Sequence, residues 1–221
     1  MKAAIKAKPE LTVIKGEKIV NLLKPGEVGP TLELIVRDKS GKITDHRGPM
    51  RSKSFVRQFL ELLWVTTYQI PDSKAYSMID PGGTYREIHA TGYCFRSSAP
   101  AGTVTYGIIV GTGTTAPTID DYAIETLIDH DAAPPTAGAL QYGAVAFGAP
   151  SSDATTSQFT ITRNFANASG GAITVNEIAL YVEGYDTAVR YFMTIRDVIG
   201  GGIAVPDGQT LTINYRPQAA V

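Results

Sequence analysis

The sequence predicts a mainly β protein: an antiparallel, jelly-roll-like β-sandwich with an N-terminal extended arm, a β-hairpin and one apolar α-helix. Three observations carry that expectation. Glycine and proline number 22 and 13 among 221 residues, without a fixed period, which excludes collagen and implies many turns between short elements. From about Tyr85, seven short apolar or alternating stretches are separated by Gly, Pro, Asn, Asp and Ser clusters, the spacing of an all-β domain. Finally, 43% hydrophobic and 19% charged residues describe an ordered chain with a core rather than a disordered one. The length allows one sandwich with appendages or two small domains.

Residues 1–30 alternate short apolar pairs with lysines and are punctuated by Pro9, Pro25-Gly26 and Gly29-Pro30. They read as an extended arm with little to bury by itself. Residues 31–84 form a second region, a hairpin plus helix suited to an interface. Thr31–Arg37 is strand-like, Asp38-Lys39-Ser40-Gly41 is turn chemistry, and Lys42–Arg47 returns as the second strand. Residues 52–66 are the one convincing helix, with Ser52 or Ser54 as its cap. Phe55, Phe59 and Leu63, with Val56, Leu60 and Trp64, recur at the i, i+4 spacing that stacks side chains into a stripe. Leu62 widens the stripe and leaves Arg57, Gln58 and Glu61 as the polar face. A helix so apolar over its circumference needs cover on more than one side. Phe55, Phe59, Leu60, Leu63 and Trp64 are therefore the expected interface residues.

Residues 85–221 are the expected sandwich domain, with strands over 85–96, 104–110, 139–147, 158–167, 173–183, 189–198 and 211–215. Phe159, Ile161 and Phe165 share one parity, as on a strand with one wet face; Arg163 breaks that parity and is expected near an edge. Asn167–Ala172 reads as a hairpin connection. The apolar parity switches between Val175 and Ile178, which predicts a bulge near Asn176-Glu177. Pro206-Asp207-Gly208-Gln209 turns into the last strand.

The net charge of −1 hides an asymmetry. Residues 1–100 carry sixteen Lys or Arg against ten Asp or Glu, and residues 101–221 carry four against eleven. Such blocks suit either two modules or a basic end that meets something acidic, if they are more than a chance imbalance on solvated faces. No dense basic tract of the nucleic-acid type is present, so no specific nucleic-acid binding is expected. No apolar run approaches the ~20 residues that span a bilayer, and the lysines, Pro9 and Glu10 near the start do not make a secretory leader. No membrane association is expected. The single cysteine, Cys94, permits neither an intrachain disulfide nor a cysteine-clustered zinc site and reads as a small strand residue.

Enzyme-like signals are few. Gly111-Thr-Gly113-Thr-Thr-Ala116 follows an apolar strand and matches the Gly-x-Gly-x-x-Ala dinucleotide fingerprint, with Asp129 and Asp131 about twenty residues on. That chemistry needs a helix amino end to hold the pyrophosphate and a parallel strand after it; Pro134-Pro135 and Gly138 stand where the strand should begin, so a plain loop is favoured. Asp120, Asp121, Asp129, His130 and Asp131 offer ligands for a hard cation but lack the EF-hand glycine and closing glutamate; solvated turn acids are favoured. His46 and His89 sit in no metal or acid–base motif, and no Gly-x-Ser-x-Gly elbow occurs. Eleven tyrosines suit a glycan platform or ordinary cross-strand packing. Asn167-Ala168-Ser169, a formal glycosylation sequon, reads as a turn. No catalytic, cofactor-binding or metal residue is assigned.

Several stretches are familiar together: Ser52–Trp64 (SKSFVRQFLELLW), then GIIVGTGTTAPTIDDYAIETLI, ALQYGAVAF, FTITRNFANASGGAITVNEIALYV, YFMTIRDV and VPDGQTLTINY. Over roughly residues 31–216 the chain resembles tailed-bacteriophage virion proteins, small β-rich components of heads, necks or tails. Its most particular pieces are the Gly111–Pro117 loop and the Asn176–Val182 strand. The resemblance implies a non-enzymatic structural subunit without cofactor, located in the virion and assembled in the host cytoplasm. Such a subunit decorates a capsid or serves as a head or tail accessory, self-associates as a homo-oligomer, and docks on a major capsid or tail protein. The alternative is a receptor- or glycan-binding module of a tail fibre or spike; a nucleotide-dependent enzyme using Gly111 and Gly113 ranks third.

Overall fold

A computed structural model describes residues 22–52, 55–68, 76–90 and 95–221. Most of the expected arm, residues 1–21, lies outside them, as do Ser54 and Cys94. The elements are β1 (Val28–Arg37), β2 (Ile43–Arg51), α1 (Arg57–Tyr68), β3 (Tyr76–Ile79), β4 (Tyr85–Ile88), β5 (Gly107–Gly111), β6 (Gln141–Tyr142) and β7 (Ala146–Phe147). They continue with β8 (Ser151–Ser152), β9 (Thr156–Gln158), β10 (Ile161–Ala166), β11 (Ile173–Tyr185), β12 (Val189–Val205) and β13 (Thr210–Ala220).

These strands build the antiparallel sandwich that the turn spacing predicts. The larger sheet runs β2-β1-β13-β10-β6, with β7 also on β10 and β9 on β13; the smaller runs β12-β11-β5. Alternation places Leu32, Leu34 and Val36 of β1, Phe165 of β10, and Leu211, Ile213 and Tyr215 of β13 in one core. Ile108 and Val110 of β5, Ile178 and Val182 of β11, and Phe192 of β12 belong to the same core. The two sheets are thus joined by apolar burial, the dominant favourable term in folding.

Strands β10 and β13 pair, as do β11 and β12, so the four form one two-stranded ribbon that passes from the large sheet to the small one and back. Its two corners hold each other. Gly208 N–H donates to Asn167 O at 2.8 Å, Gly170 N–H to Asp207 Oδ1 at 2.9 Å, and the Asn167 amide to Val205 O at 2.6 Å. Asn167–Ala172 is therefore a corner between sheets and not the expected hairpin connection. Glycine and asparagine supply the turn in either case, and the distant partner strand decides which turn it is. The bulge does fall at the expected place, where the β11–β12 register shifts between Val175 and Glu177.

The hairpin of residues 31–84 is continuous with the sandwich. β1 pairs with β13 along its whole length, from Val28 opposite Ala219 to Arg37 opposite Thr210. Its first three residues come from the end of the expected arm. The 84/85 division also falls inside a hairpin, because β3 pairs with β4 around a turn that Asp80 ties by accepting from Gly82 N–H, Thr84 N–H and Arg86. The strand expected over 85–96 ends at Ile88 and lies in this two-stranded sheet.

The helix begins at Arg57, five residues later than expected. Phe55 and Val56 are used as an edge bridge on β12, with Phe55 opposite Ile195 and Val56 N–H donating to Thr194 O at 3.1 Å. Ser52 is accordingly not a cap: its hydroxyl donates to Asp197 Oδ2 at 2.6 Å.

Arg163 is the largest departure from the sequence reading. It is on the core face of β10, fully buried, and not near an edge. Its guanidinium donates to five main-chain carbonyls: Gly143 at 2.8 Å, Ile108 at 2.8 Å, Thr103 at 2.7 Å, Pro100 at 3.3 Å and Tyr106 at 3.4 Å. Five donors in a rigid fork match five acceptors. The ring of Tyr142 lies 4.8 Å from the guanidinium carbon, adding a cation–π contact. Burial pushes the Arg163 pKa down to about 10, so the group stays charged at neutral pH. The break between β6 and β7, where one strand was expected over 139–147, is where the Gly143 carbonyl turns toward this arginine.

Replacing Arg163 with Met should lower stability by at least about 3 kcal/mol, because each buried carbonyl left without a donor costs about 1–3 kcal/mol. Lysine, with three donors on a point charge, should rescue little. Urea unfolding of the Arg163→Met and Arg163→Lys variants measures both; a wild-type midpoint in either would contradict this role.

Candidate interaction surface

The five expected interface residues are divided between two neighbouring surfaces. Gln58, Leu62 and Val65 are the buried side of α1, so Gln58 faces inward although its type placed it on the polar face. Leu60, Leu63 and Trp64 point outward with relative exposures of 65%, 43% and 49%. Trp64 also meets Tyr76 edge-on at 5.2 Å. Phe55 and Phe59 turn the other way, stacked at 3.9 Å, with Phe59 edge-on to Phe95 at 5.9 Å.

Phe55, Phe59 and Leu63 form one wall of an apolar groove of about 590 Å³. Phe147 and Ile161 of the large sheet, Phe159 between β9 and β10, and Leu180, Val182 and Ile195 of the small sheet also line it. It is the mouth of the sandwich, where the two sheets part. Leu63 belongs both to the groove and to the exposed face, so the two apolar surfaces are continuous. Contiguous exposed apolar surface of this kind marks interaction sites on folded proteins. Phe95, Phe147 and Phe159 were legible only as strand hydrophobics, since the parting of the sheets is not a local property.

The glycine-threonine loop is filled by the protein itself. Thr114 N–H and Thr115 N–H donate to Glu125 Oε2 at 3.0 and 3.1 Å, and the Thr115 hydroxyl donates to Oε1 at 2.9 Å. The amides that a dinucleotide reading would offer to a pyrophosphate hold a carboxylate of the same chain. No helix follows the loop; the segment after it bridges back on β5, with Gly111 opposite Leu127. A Cβ at Gly113 would stand 2.4 Å from Glu177 Oε2 and 2.6 Å from Glu125 Cβ. Glycine is required there by close approach.

Beneath the loop lies an ion network. Buried Glu177 accepts from Arg196 Nε at 2.6 Å and from the Glu125 N–H at 3.0 Å, and Arg196 NH1 donates to Asp121 Oδ2 at 2.6 Å. Asn176 donates to Thr112 O at 3.0 Å. The Gly111–Pro117 loop and the Asn176–Val182 strand, far apart in sequence, are thus one physical unit. Burial of Asp121 raises its pKa, but bonds from Thr118 and Arg196 outweigh this and hold it below the usual carboxylate range. Glu125 is lowered by its bonds from Thr115 and Thr114. Glu177 and Arg196 were not singled out from the sequence; the available signal was a charged residue at an inward parity in each strand.

The remaining candidates are scattered. Asp131 accepts from Ala133 and Thr136 N–H, which closes a turn, and His130 Nδ1 accepts from Tyr142 N–H at 3.2 Å. Asp120 pairs with Arg57 at 2.7 Å and Asp129 accepts from the His130 N–H. His46 meets Glu33 at 3.0 Å and His89 packs edge-on against Tyr185. Among the described residues no group of three or more His, Cys, Asp or Glu is arranged to hold a metal ion, and no helix is long and apolar enough to cross a membrane. Tyr142, Tyr181 and Tyr215 are core residues, whereas Tyr85 and Tyr122 are exposed. The basic front and acidic back meet within the chain through Arg57–Asp120 and Arg96–Glu183, while Glu33–Arg216 joins the halves with the signs reversed.

A carboxylate whose folded pKa is lowered contributes stability above its unfolded pKa, and that contribution is lost as pH falls through the folded value. Asp121→Asn should therefore cost about 1.5–3 kcal/mol at pH 7, the range for a hydrogen bond to a charged group. The difference from wild type should shrink below about pH 4. Urea midpoints at pH 7, 5 and 3 check this; a difference independent of pH would contradict it. No protein-family model matches the chain, and neither does a curated protein or a solved structure.

Proposed function

We propose that the protein is a non-enzymatic virion subunit of a tailed bacteriophage, a capsid-decorating or head/tail accessory component that self-associates and docks on a major shell or tube protein. The observation that carries this reading is the continuous apolar surface of Leu60, Leu63 and Trp64 with the adjoining groove. Folded monomers rarely expose large contiguous apolar patches, so a helix face of this composition at the sandwich mouth fits burial against another subunit. The self-filled loop at Gly111–Pro117 supports a structural role for the most enzyme-like motif in the chain.

A receptor- or glycan-binding role is the second reading, supported by Tyr85 and Tyr122. Both are exposed, and Tyr122 lies against the β3–β4 turn, 3.6 Å from where a Cβ on Gly83 would stand. Glycan-array binding that disappears in a Tyr85→Ala/Tyr122→Ala variant would favour it.

The double variant Leu60→Glu/Trp64→Glu changes exposed positions and should keep the far-ultraviolet circular dichroism of the parent. Its incorporation into particles, measured by quantitative mass spectrometry of purified virions, should fall at least about tenfold, a loss of roughly 1.4 kcal/mol of binding or more. Unchanged incorporation would remove the helix from the docking mechanism.

A further inference from the structure

We infer that a second cavity, on the outer face of the small sheet, binds one neutral sugar unit of hexose size. It rests on the glycan-binding reading and is separate from the docking groove: no residue lines both. By strand alternation Tyr181, in the cavity, points away from Leu180 and Val182, in the groove. The cavity holds about 380 Å³, a volume typical of small-ligand sites. Ile109, Tyr181 and Tyr191 of the sheet line it, with Ile124 and Leu127 of the segment after the glycine-threonine loop and Asp80 of the β3–β4 turn. Its walls are fixed by the fold. The Tyr181 hydroxyl accepts from the Ile124 N–H at 2.6 Å, and the Tyr191 ring stacks on Tyr106 with centroids 5.5 Å apart. A site that is already ordered loses little of its binding energy to ordering.

The lining selects the ligand. Aliphatic and aromatic side chains suit the C–H face of a pyranose ring. The two charged residues of the lining are each balanced within the protein, Asp80 by Arg86 at 2.7 Å and Arg190 by Asp186 at 2.8 Å. A charge on the ligand would find no uncompensated partner, and burying it costs more than burying a hydroxyl. Hydrogen-bonding capacity remains nonetheless. Asp80 accepts from Gly82 N–H, Thr84 N–H and Arg86 Nε, which fills three of a carboxylate's roughly four acceptor positions. Arg190 is engaged through Nε, and its terminal nitrogens make no hydrogen bond or ion pair with a described residue. One acceptor position and a donor fork on the same cavity match ring hydroxyls, each of which both donates and accepts. Tyr122, exposed against the same β3–β4 turn, is placed to meet the next unit of a longer glycan.

NMR titration of the full-length protein with methyl glucoside, methyl galactoside and methyl mannoside tests the inference, with the methyl glycoside of a sialic acid as the charged comparison. At least one neutral hexoside should bind, with amide shifts concentrated at residues 80–82, 104–105, 123–127 and 189–191. Thr105→Trp, at an exposed position on the cavity wall, blocks the space without touching the core. It and Arg190→Met should each weaken binding at least about tenfold. Should Arg190→Met fail to fold, the shift map and Thr105→Trp still decide. Binding of the charged sugar alone, shifts elsewhere, or neutral binding unchanged in Thr105→Trp would overturn the inference and leave the glycan reading standing. The same holds if no hexoside binds while a glycan array shows binding that Tyr85→Ala/Tyr122→Ala abolishes. Absence of binding in both assays would overturn the two together.

Discussion

The buried guanidinium of Arg163 is the constraint on which much of this sandwich depends. It leaves β10 in the large sheet and reaches the carbonyl of Ile108 in the small one, and on the way it collects carbonyls from Pro100, Thr103, Tyr106 and Gly143. Irregular backbone inside a protein must find donors for its carbonyls, and here a single side chain supplies them for the segment leading into β5. Gly107 fits the same crowded corner, with φ at +82° and no room for a Cβ between Val145 and Ala99. A second polar tie joins the sheets further along, where Tyr215 donates to Asp197 Oδ2 at 2.9 Å. The apolar core brings the layers together, and these directional bonds fix how they are aligned.

The opposite end of β5 follows a related logic with the charges reversed. Backbone amides of the glycine-threonine loop surround Glu125, while Arg196 joins Glu177 and Asp121 below it. Loops with successive exposed amides bind anions, and this one has its anion built in. The loop and the Asn176–Val182 strand meet directly, through Asn176 donating to Thr112 O and through the close approach of Gly113 to Glu177. The built-in anion moves attention from the loop to the helix and groove, where Leu60, Leu63 and Trp64 are exposed beside an apolar cavity.

Much of the fold was legible because it is local. Turn residues marked where strands end, the parity switch at Asn176-Glu177 marked the bulge, and the apolar periodicity of residues 52–66 marked the helix. What failed was every inference that depended on a distant partner. Arg163 was placed at an edge because charge is normally excluded from a core, and the five carbonyls that reverse this come from elsewhere in the chain. Ser52 was a plausible cap until Asp197 took its hydroxyl, and Phe55-Val56 looked helical until β12 offered an edge. The interface residues were legible as an apolar excess on one helix, but their division into an outward face and a groove wall was not.

The sequence by itself determined a mainly β chain with turn-rich connections and, among the described residues, one helix. These follow from side-chain periodicity and backbone preference, which act over a few residues. Tertiary structure decided that β1 pairs with β13, that Asn167–Ala172 crosses between sheets, that a glycine-rich loop holds its own carboxylate, and that the sheets part to leave a groove. Each of those outcomes sets groups tens of residues or more apart at hydrogen-bonding or van der Waals distance. Short-range pattern contains no record of such contacts, because the free energy that selects them belongs to the packed whole.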